Sequence, residues 1–283
     1  MPGLWYWFSP ENGLFTDGRQ SMRVRGCVAL VTGASSGIGT AVAERLAERG
    51  ATVLVHGRDP ARTGDVARRT HGEALLADLA LPGAAEQLAA DALAVHGRVD
   101  LLVASAGAGR STPFDTMTDD DVSGLVALDL VAPMQLTRAL LPGMLGRGSG
   151  HLQLIGSVAG RTAVAGEAVY AATKAGLDVF AQSLRMEMDG SGVGVSVVLP
   201  GVVDTPFFER RGRANDRSRP RPVSAEAVAA RAVRAVEQDD AETWVPGWLR
   251  VASVVRALAP ATYHRLALRY GEQVRATSYG AGS

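Results

Sequence analysis

One lysine, two asparagines and one cysteine are all that this 283-residue chain has of those types. The single cysteine, Cys27, excludes an internal disulfide and argues against a cysteine-based metal cluster. Of the 29 basic residues, all but Lys174 are arginine, and the asparagines are Asn12 and Asn215. Chemistry that needs an amine or a carboxamide at a defined place must use those positions or do without. Neither sign of charge is in excess, since 29 basic residues face 29 acidic ones. No global basic field draws in nucleic acid, and no acidic bias argues for a disordered chain. No apolar run reaches about 18 residues, so a spanning helix is not expected. Residues 1–22 have no basic residue ahead of the apolar cluster Leu4–Phe8, which is too short for a signal-peptide core. They read as an extension, either a flexible arm or a patch in which Trp5, Tyr6, Trp7 and Phe8 dock on an apolar surface. Met22 is a candidate natural start, and a cytoplasmic location is expected.

Short Val/Leu/Ala runs alternate with Ala-rich helical stretches along the rest of the chain. Residues 27–33, 51–57, 73–77, 99–107, 151–157, 193–201 and 242–246 read as strands, with helices near 83–96, 118–141 and 166–189 among those between them. Asp59-Pro60 looks like an N-cap with a first-turn proline. Strands apolar on both faces with helices between them imply a parallel sheet covered on both sides, and right-handed crossovers make it an α/β, Rossmann-like doubly wound sheet. The expected organisation is an extension over 1–22, one domain over 23–247 and a helical C-terminal tail over 248–283.

Gly33, Ser35, Ser36, Gly37, Ile38 and Gly39 lie in the turn Thr32-Gly33-Ala34-Ser35-Ser36-Gly37-Ile38-Gly39, which joins the first strand to the first helix. Glycines there let the backbone approach a pyrophosphate, and the helix N-terminus offers free N–H groups and partial positive charge. The second strand then selects the cofactor. It ends in Gly57-Arg58, where an acid would take a ribose 2′-hydroxyl. A guanidinium suits a 2′-phosphate through paired, charge-assisted hydrogen bonds; the alternative is that Arg58 is a solvated loop cation and Asp59 takes the ribose, but Pro60 behind it favours Asp59 as helix cap, so NADP (as NADPH) is expected over NAD.

The TGASSGIG turn, Ser157 with Tyr170-x3-Lys174, and PGVVDTP (200–206) together resemble the classical short-chain dehydrogenase/reductase family over roughly 24–246. That resemblance implies a seven-stranded Rossmann-like fold, a nicotinamide cofactor and hydride transfer between alcohol and carbonyl. Tyr170 and Lys174 are four apart on an expected helix and share a face. A free phenol titrates near ~10, and an adjacent ammonium favours the phenolate, so a lowered Tyr170 pKa is expected. Tyr170 would give its proton to the carbonyl oxygen while Ser157 hydrogen-bonds the same oxygen. The resemblance gives Lys174 the nicotinamide ribose as well. A chain that otherwise uses arginine for every cation has placed its one lysine here, where arginine cannot readily deprotonate and needs more space.

The family's Asn-Asn-Ala-Gly stretch is here Ala104-Ser105-Ala106-Gly107, which keeps close approach to the cofactor and loses amide contacts. The family's asparagine on the following helix matches Asp129, which can accept the same hydrogen bonds and pair with Lys174 across a water, or else cap local backbone. By the same resemblance Asp78 meets the adenine amine with Leu79 beside it. Val203 and Thr205 reach the nicotinamide amide, and Pro200 and Gly201 shape that turn. Beyond Thr205, Phe207 and Phe208 precede Arg210, Arg211, Arg213, Arg217, Arg219 and Arg221, in a segment read as a substrate lid. It is either an anion-steering lid or a solvated mobile loop. Phe114, Val164, Phe207 and Phe208 suggest an apolar pocket. The tail packs on the domain, covers a neighbour or lies on a membrane surface, with a membrane the less favoured choice.

These features point to an NADPH-dependent reductase of a ketone or 3-oxoacyl-type substrate, a small molecule or a carrier-linked one, in a homodimer or homotetramer with no nucleic-acid partner and no metal. An alcohol or steroid dehydrogenase running oxidatively, and a nucleotide-sensing protein with little turnover, remain as alternatives.

Overall fold

The alternating strands and helices close into one parallel sheet. The computed structural model describes residues 21–211 and 221–270. The first half runs β1 (Val28–Val31), α1 (Gly37–Glu48), β2 (Thr52–Gly57), α2 (Pro60–Thr70), β3 (Glu73–Leu76), α3 (Ala84–His96) and β4 (Leu101–Ala104). The second half contains α4 (Asp119–Val126), α5 (Ala132–Arg147), β5 (Gly150–Ile155), α6 (Val158–Thr162), α7 (Ala168–Glu187), β6 (Val193–Pro200), β7 (Val203–Asp204) and α8 (Phe207–Arg210). It continues with β8 (Val223–Ser224), α9 (Ala225–Gln238), β9 (Glu242–Val245), α10 (Arg250–Leu258) and α11 (Pro260–Tyr270). The seven-stranded order is β3-β2-β1-β4-β5-β6-β9, and β7 pairs with β8 in a separate ribbon. The order reverses between β1 and β4, where a doubly wound sheet opens its ligand crevice.

Period-two alternation sorts the apolar strand residues into two layers. Leu30, Leu54, Leu102, Leu152 and Leu154 face α3, α5 and α7 through Leu88, Leu136, Leu140 and Leu177. Ala29, Val31, Val53, Val55, Leu101 and Val103 face α1 and α9 through Val42, Leu46, Val228 and Val233. Helix starts are set locally. The Asp59 carboxylate accepts from Arg62 N–H at 2.9 Å and Pro60 follows, as the sequence suggests. Thr118 and Asp121 form a reciprocal capping box at α4.

The single helix expected near 118–141 is instead α4, a π-helical turn over Ala127–Val131, and α5 to Arg147. Pro133 stands just beyond that turn and has no N–H to return to the carbonyl of residue 129, so the ladder slips there. By length and composition alone this run would cross a membrane, but Leu136, Leu140 and Met144 are fully packed under the sheet. In the tail, Arg256 Nη1 donates to the Arg161 carbonyl at 2.7 Å and Tyr263 Oη to the Thr162 carbonyl at 2.9 Å. The tail thus packs on the domain through polar bonds, with Val251, Val254 and Leu258 turned outward. Of the extension read over 1–22, residues 1–20 lie outside the described residues, as do residues 271–283 of the tail.

Leu136, 1 % exposed, joins α5 to the sheet. Leu136→Ala is expected to lower unfolding free energy by about 2–5 kcal/mol in urea titration; a loss well under 1 kcal/mol would contradict this packing.

Candidate active site

A cleft of about 370 Å³ opens over the carboxyl ends of β1 and β4, where the strand order reverses. Its floor is the turn after β1, and the glycines there answer to geometry. A Cβ on Gly33 would stand 2.7 Å from Ala106 Cα, and one on Gly39 2.4 Å from the Gly33 carbonyl oxygen. Gly37, at φ +58°, faces Thr205 from the far wall. Thr32 Oγ1 accepts from the N–H groups of Ser105 and Ala106, both at 3.0 Å, and so ties this turn to the loop after β4. Ser35, Ser36, Gly37, Ile38 and Gly39 line the cleft with Ser105, Ala106 and Gly107, as do Pro200, Gly201, Val203 and Thr205.

His56 belongs to this floor and was missed from sequence. It lies in β2, where its Nδ1 stands 3.4 Å from Gly33 N–H and its Nε2 3.1 Å from the Ala77 carbonyl. Burial lowers its pKa to about 4, so it is neutral at pH 7. The neutral ring accepts through Nδ1 and donates through Nε2, which matches both neighbours. A lone histidine inside an apolar strand was the available signal.

At the opposite end, Tyr170 and Lys174 project from α7 into the cleft, and Ser157 stands behind them as the N-cap of α6. Ser157 Oγ accepts from Ala159 N–H at 3.1 Å and also hydrogen-bonds Tyr170. Lys174 is 5 % exposed; its Nζ donates to the Ile155 carbonyl at 3.2 Å and lies 5.7 Å from the Tyr170 ring centroid. The expected lowering of the Tyr170 pKa is reversed. Burial pushes the phenol above its ordinary value, the nearby Asp129 carboxylate adds to that, and the Ser157 hydrogen bond only partly offsets it. The physical reason is that desolvation of a phenolate here outweighs an ammonium that is turned toward a backbone carbonyl.

Asp129 is completely buried on the π-helical turn. One oxygen accepts from Ala108 N–H at 2.8 Å, and Oδ2 has no hydrogen-bond partner. A Cβ on Gly107 would stand 3.1 Å from Asp129 Oδ1 and 3.5 Å from Lys174 Nζ, so both groups converge on that glycine. Burial raises the Asp129 pKa to about 6, against the pull of the Lys174 charge and the Ala108 N–H. The structure therefore brings Asp129 to the Lys174 end and also makes it a backbone cap, combining the two alternatives read from sequence.

At the nucleotide end Arg58 lines the cleft and pairs with Asp78 at 3.4 Å. Leu79 lines the cleft, but Asp78 does not; its carboxylate is turned to Arg58 and to Ala80 N–H. Arg62 and Arg210 also line this end, and neither was read as a cofactor residue. Arg62 follows the Asp59 cap by one helical turn, and Arg210 lies more than 170 positions after Ser36, whose hydroxyl it meets.

The lid segment is partly corrected. Phe207 packs on Tyr170, with ring centroids 5.7 Å apart, and Phe208 lies edge-on to Phe207. Arg211 is not a solvated steering charge: it is 5 % exposed, pairs with Glu167 and sits 4.4 Å over the Phe208 ring. Phe114 is 63 % exposed, and neither it nor Val164 lines the cleft. Leu128 and Ile155 supply apolar wall in their place. Arg221 is exposed, and Arg213, Arg217 and Arg219 lie outside the described residues.

Residues 27–216 match the short chain dehydrogenase family model. The chain is 37% identical over 188 residues to the 3-oxoacyl-[acyl-carrier-protein] reductase of Escherichia coli, covering 65% of this chain and 76% of that protein. It is 31% identical over 218 residues to an uncharacterized oxidoreductase of Staphylococcus epidermidis, covering 76% and 93%. Among solved structures, a short-chain dehydrogenase from Sphingobium yanoikuyae in complex with NADPH superposes with TM-score 0.75 at 28% identity, over 90% of this chain and 99% of that one. A metagenomic short-chain oxidoreductase in complex with NADP superposes with TM-score 0.67 at 35% identity, over 79% and 98%.

The Asp129 geometry has a consequence for stability. Its folded pKa of about 6 lies above the ordinary 3.8, so the protonated form is the one the fold prefers. Stability from this group is complete below pH 3.8 and falls as pH rises through 6. The loss amounts to about 3 kcal/mol when ionised, at 1.36 kcal/mol per pKa unit. Asp129→Asn is expected to match the parent near pH 4 and to become the more stable protein by pH 7, by chemical denaturation at each pH; parallel pH profiles would refute it.

Proposed function

The chain belongs to the short-chain dehydrogenase family, and on that premise we propose that it is an NADPH-dependent reductase of a ketone or 3-oxoacyl-type carbonyl. One arrangement carries this assignment: Tyr170 and Lys174 line one end of the cleft with Ser157 bonded to Tyr170 behind them, and the other end presents Arg58 and Arg62, where the one acid, Asp59, is taken up by the α2 start and Arg62. The shape of the floor fits a dinucleotide, since Gly33, Gly37 and Gly39 leave backbone N–H groups of the α1 start open to a pyrophosphate.

The bound NADPH would supply the hydride. Ser157 Oγ would hydrogen-bond the substrate oxygen and steady the charge that develops on it. Tyr170 would deliver its phenolic proton to that oxygen. Its raised pKa suits this direction, because burial keeps the phenol in the proton-bearing form at neutral pH, and a developing alkoxide is a stronger base than a phenolate. Lys174 would hold the nicotinamide ribose and refill the tyrosine's proton through the polar end of the cleft, with Asp129 opposing its charge. Phe207 would cover the reacting carbon and exclude water, given its contact with the Tyr170 ring. The 3-oxoacyl class is supported by the name of the Escherichia coli relative, and the cofactor by the two complexes with NADPH and NADP.

A panel of acyl thioesters, quinones and aliphatic ketones, followed by NADPH absorbance, is expected to show turnover. Tyr170→Phe is expected to lower kcat by about 10²–10⁴-fold with NADPH affinity retained; full activity in that variant would sink the assignment. Tight NADPH binding with no turnover on any carbonyl would instead favour a sensor. Arg58→Asp is expected to shift preference toward NADH by at least about tenfold in kcat/KM. An unchanged NADPH preference would remove Arg58 from the cofactor site.

A further inference from the structure

The segment that covers Tyr170 also reaches the far end of the cleft. We propose that Arg210 is a third arm of the phosphate seat at the adenosine end, joining Arg58 and Arg62, so that the turn closing over Tyr170 also grips the cofactor's 2′-phosphate. This rests on the NADP reading above and adds a residue that belongs, by position, to the substrate side.

The geometry is specific. Arg58 and Arg62 follow β2, whereas Arg210 ends α8, yet all three line the same cleft. Arg210 Nη2 donates to Ser36 Oγ at 3.1 Å, which places its guanidinium on the rim of the glycine turn. Burial first, and then the charges of Arg62 and Arg58, hold the Arg210 pKa below its ordinary value, so the neighbouring cations add to the effect of burial. The acids nearby already have partners, and the pair with Arg58 is the looser one. Asp59 spends its carboxylate on the start of α2 and on Arg62 at 3.1 Å, and Asp78 meets Arg58 at 3.4 Å. Glu209 is the acid on Arg210's own segment. Exposed pairs of this kind hold weakly and yield to a better anion. A phosphate dianion offers planar guanidinium groups paired, charge-assisted bonds and relieves their mutual repulsion.

The turn that carries Arg210 is held in place from below. Arg211 is buried, pairs with Glu167, and its carbonyl accepts from Ser111 N–H at 2.9 Å. Phe207 lies so close to Gly109 that a Cβ there would stand 2.6 Å from its Cζ. Phe207 and Arg210 are three residues apart, so α8 spans the cleft with an aromatic ring on Tyr170 and a cation at the phosphate rim. A phosphate taken by Arg210 would therefore hold the turn down over the reacting end as well.

The test is calorimetric binding of 2′,5′-ADP and of ADP to the full chain, in the parent, Arg210→Ala and Arg210→Lys. The parent is expected to bind 2′,5′-ADP more tightly than ADP. Arg210→Ala is expected to lose about tenfold for 2′,5′-ADP and less than about twofold for ADP, with Arg210→Lys in between and the difference shrinking at high salt. An unchanged 2′,5′-ADP affinity, or an equal loss for both ligands, overturns the role of Arg210 while leaving the NADP reading standing. A parent protein with no preference for 2′,5′-ADP overturns both. An unaltered melting temperature in the variants shows that folding is not the cause.

Discussion

Where β1 ends, two stretches of backbone meet with no space for a side chain. A methyl on Gly33 would stand 2.7 Å from Ala106 Cα, and a methyl on Gly39 2.4 Å from the Gly33 carbonyl oxygen. Everything that makes a cleft depends on this approach. It brings the start of α1 up to the sheet edge, lets Thr32 bond the loop after β4, and sets Ser35 to Gly39 along the cleft. His56, neutral because it is buried, stands between the turn and Ala77 and so fixes the floor from the β2 side. A close-packed interior tolerates no compromise at such a contact, which is why the residues at these two positions have no Cβ.

The reacting end is organised by a different constraint, the expense of charge in a buried place. Lys174 and Asp129 both converge on Gly107, where glycine again makes room. One Asp129 oxygen has Ala108 N–H and the other has no partner, so the carboxylate is only partly compensated. Its raised pKa and that of Tyr170 share one main origin, burial, and the Asp129 charge adds to the rise at Tyr170. The Escherichia coli relative is named a reductase, and in this chain burial keeps the proton on the tyrosine, where the proposed reaction needs it.

Much of the fold was legible because the signals were local or periodic. The unbroken apolar runs of Val28–Val31 and Val53–Val55 announced a parallel sheet buried on both faces, Asp59-Pro60 announced the start of α2, and the glycine turn announced the crevice. The lone lysine, four residues after Tyr170, marked that tyrosine in the sequence. The slip in the α4–α5 run was harder to see, because a π-helical turn leaves no composition of its own and only Pro133 hinted at it. Arg211 looked like one more solvated cation among its neighbours, and only packing revealed Glu167 and Phe208 around it.

The sequence by itself determined the sheet, most of its helices and the glycine turn, since each rests on neighbours a few residues away, and it singled out Ser157, Tyr170, Lys174 and Arg58 as candidates. The tertiary structure alone decided which charges stand within a few ångströms of each other. Arg210 meets Ser36 across 174 positions, Thr32 meets Ala106 across 74, and Asp129 reaches Ala108 across 21. The direction of the Tyr170 pKa was decided there too. Desolvation depends on how much low-dielectric protein surrounds a group from every side, and spacing along a helix does not contain that quantity.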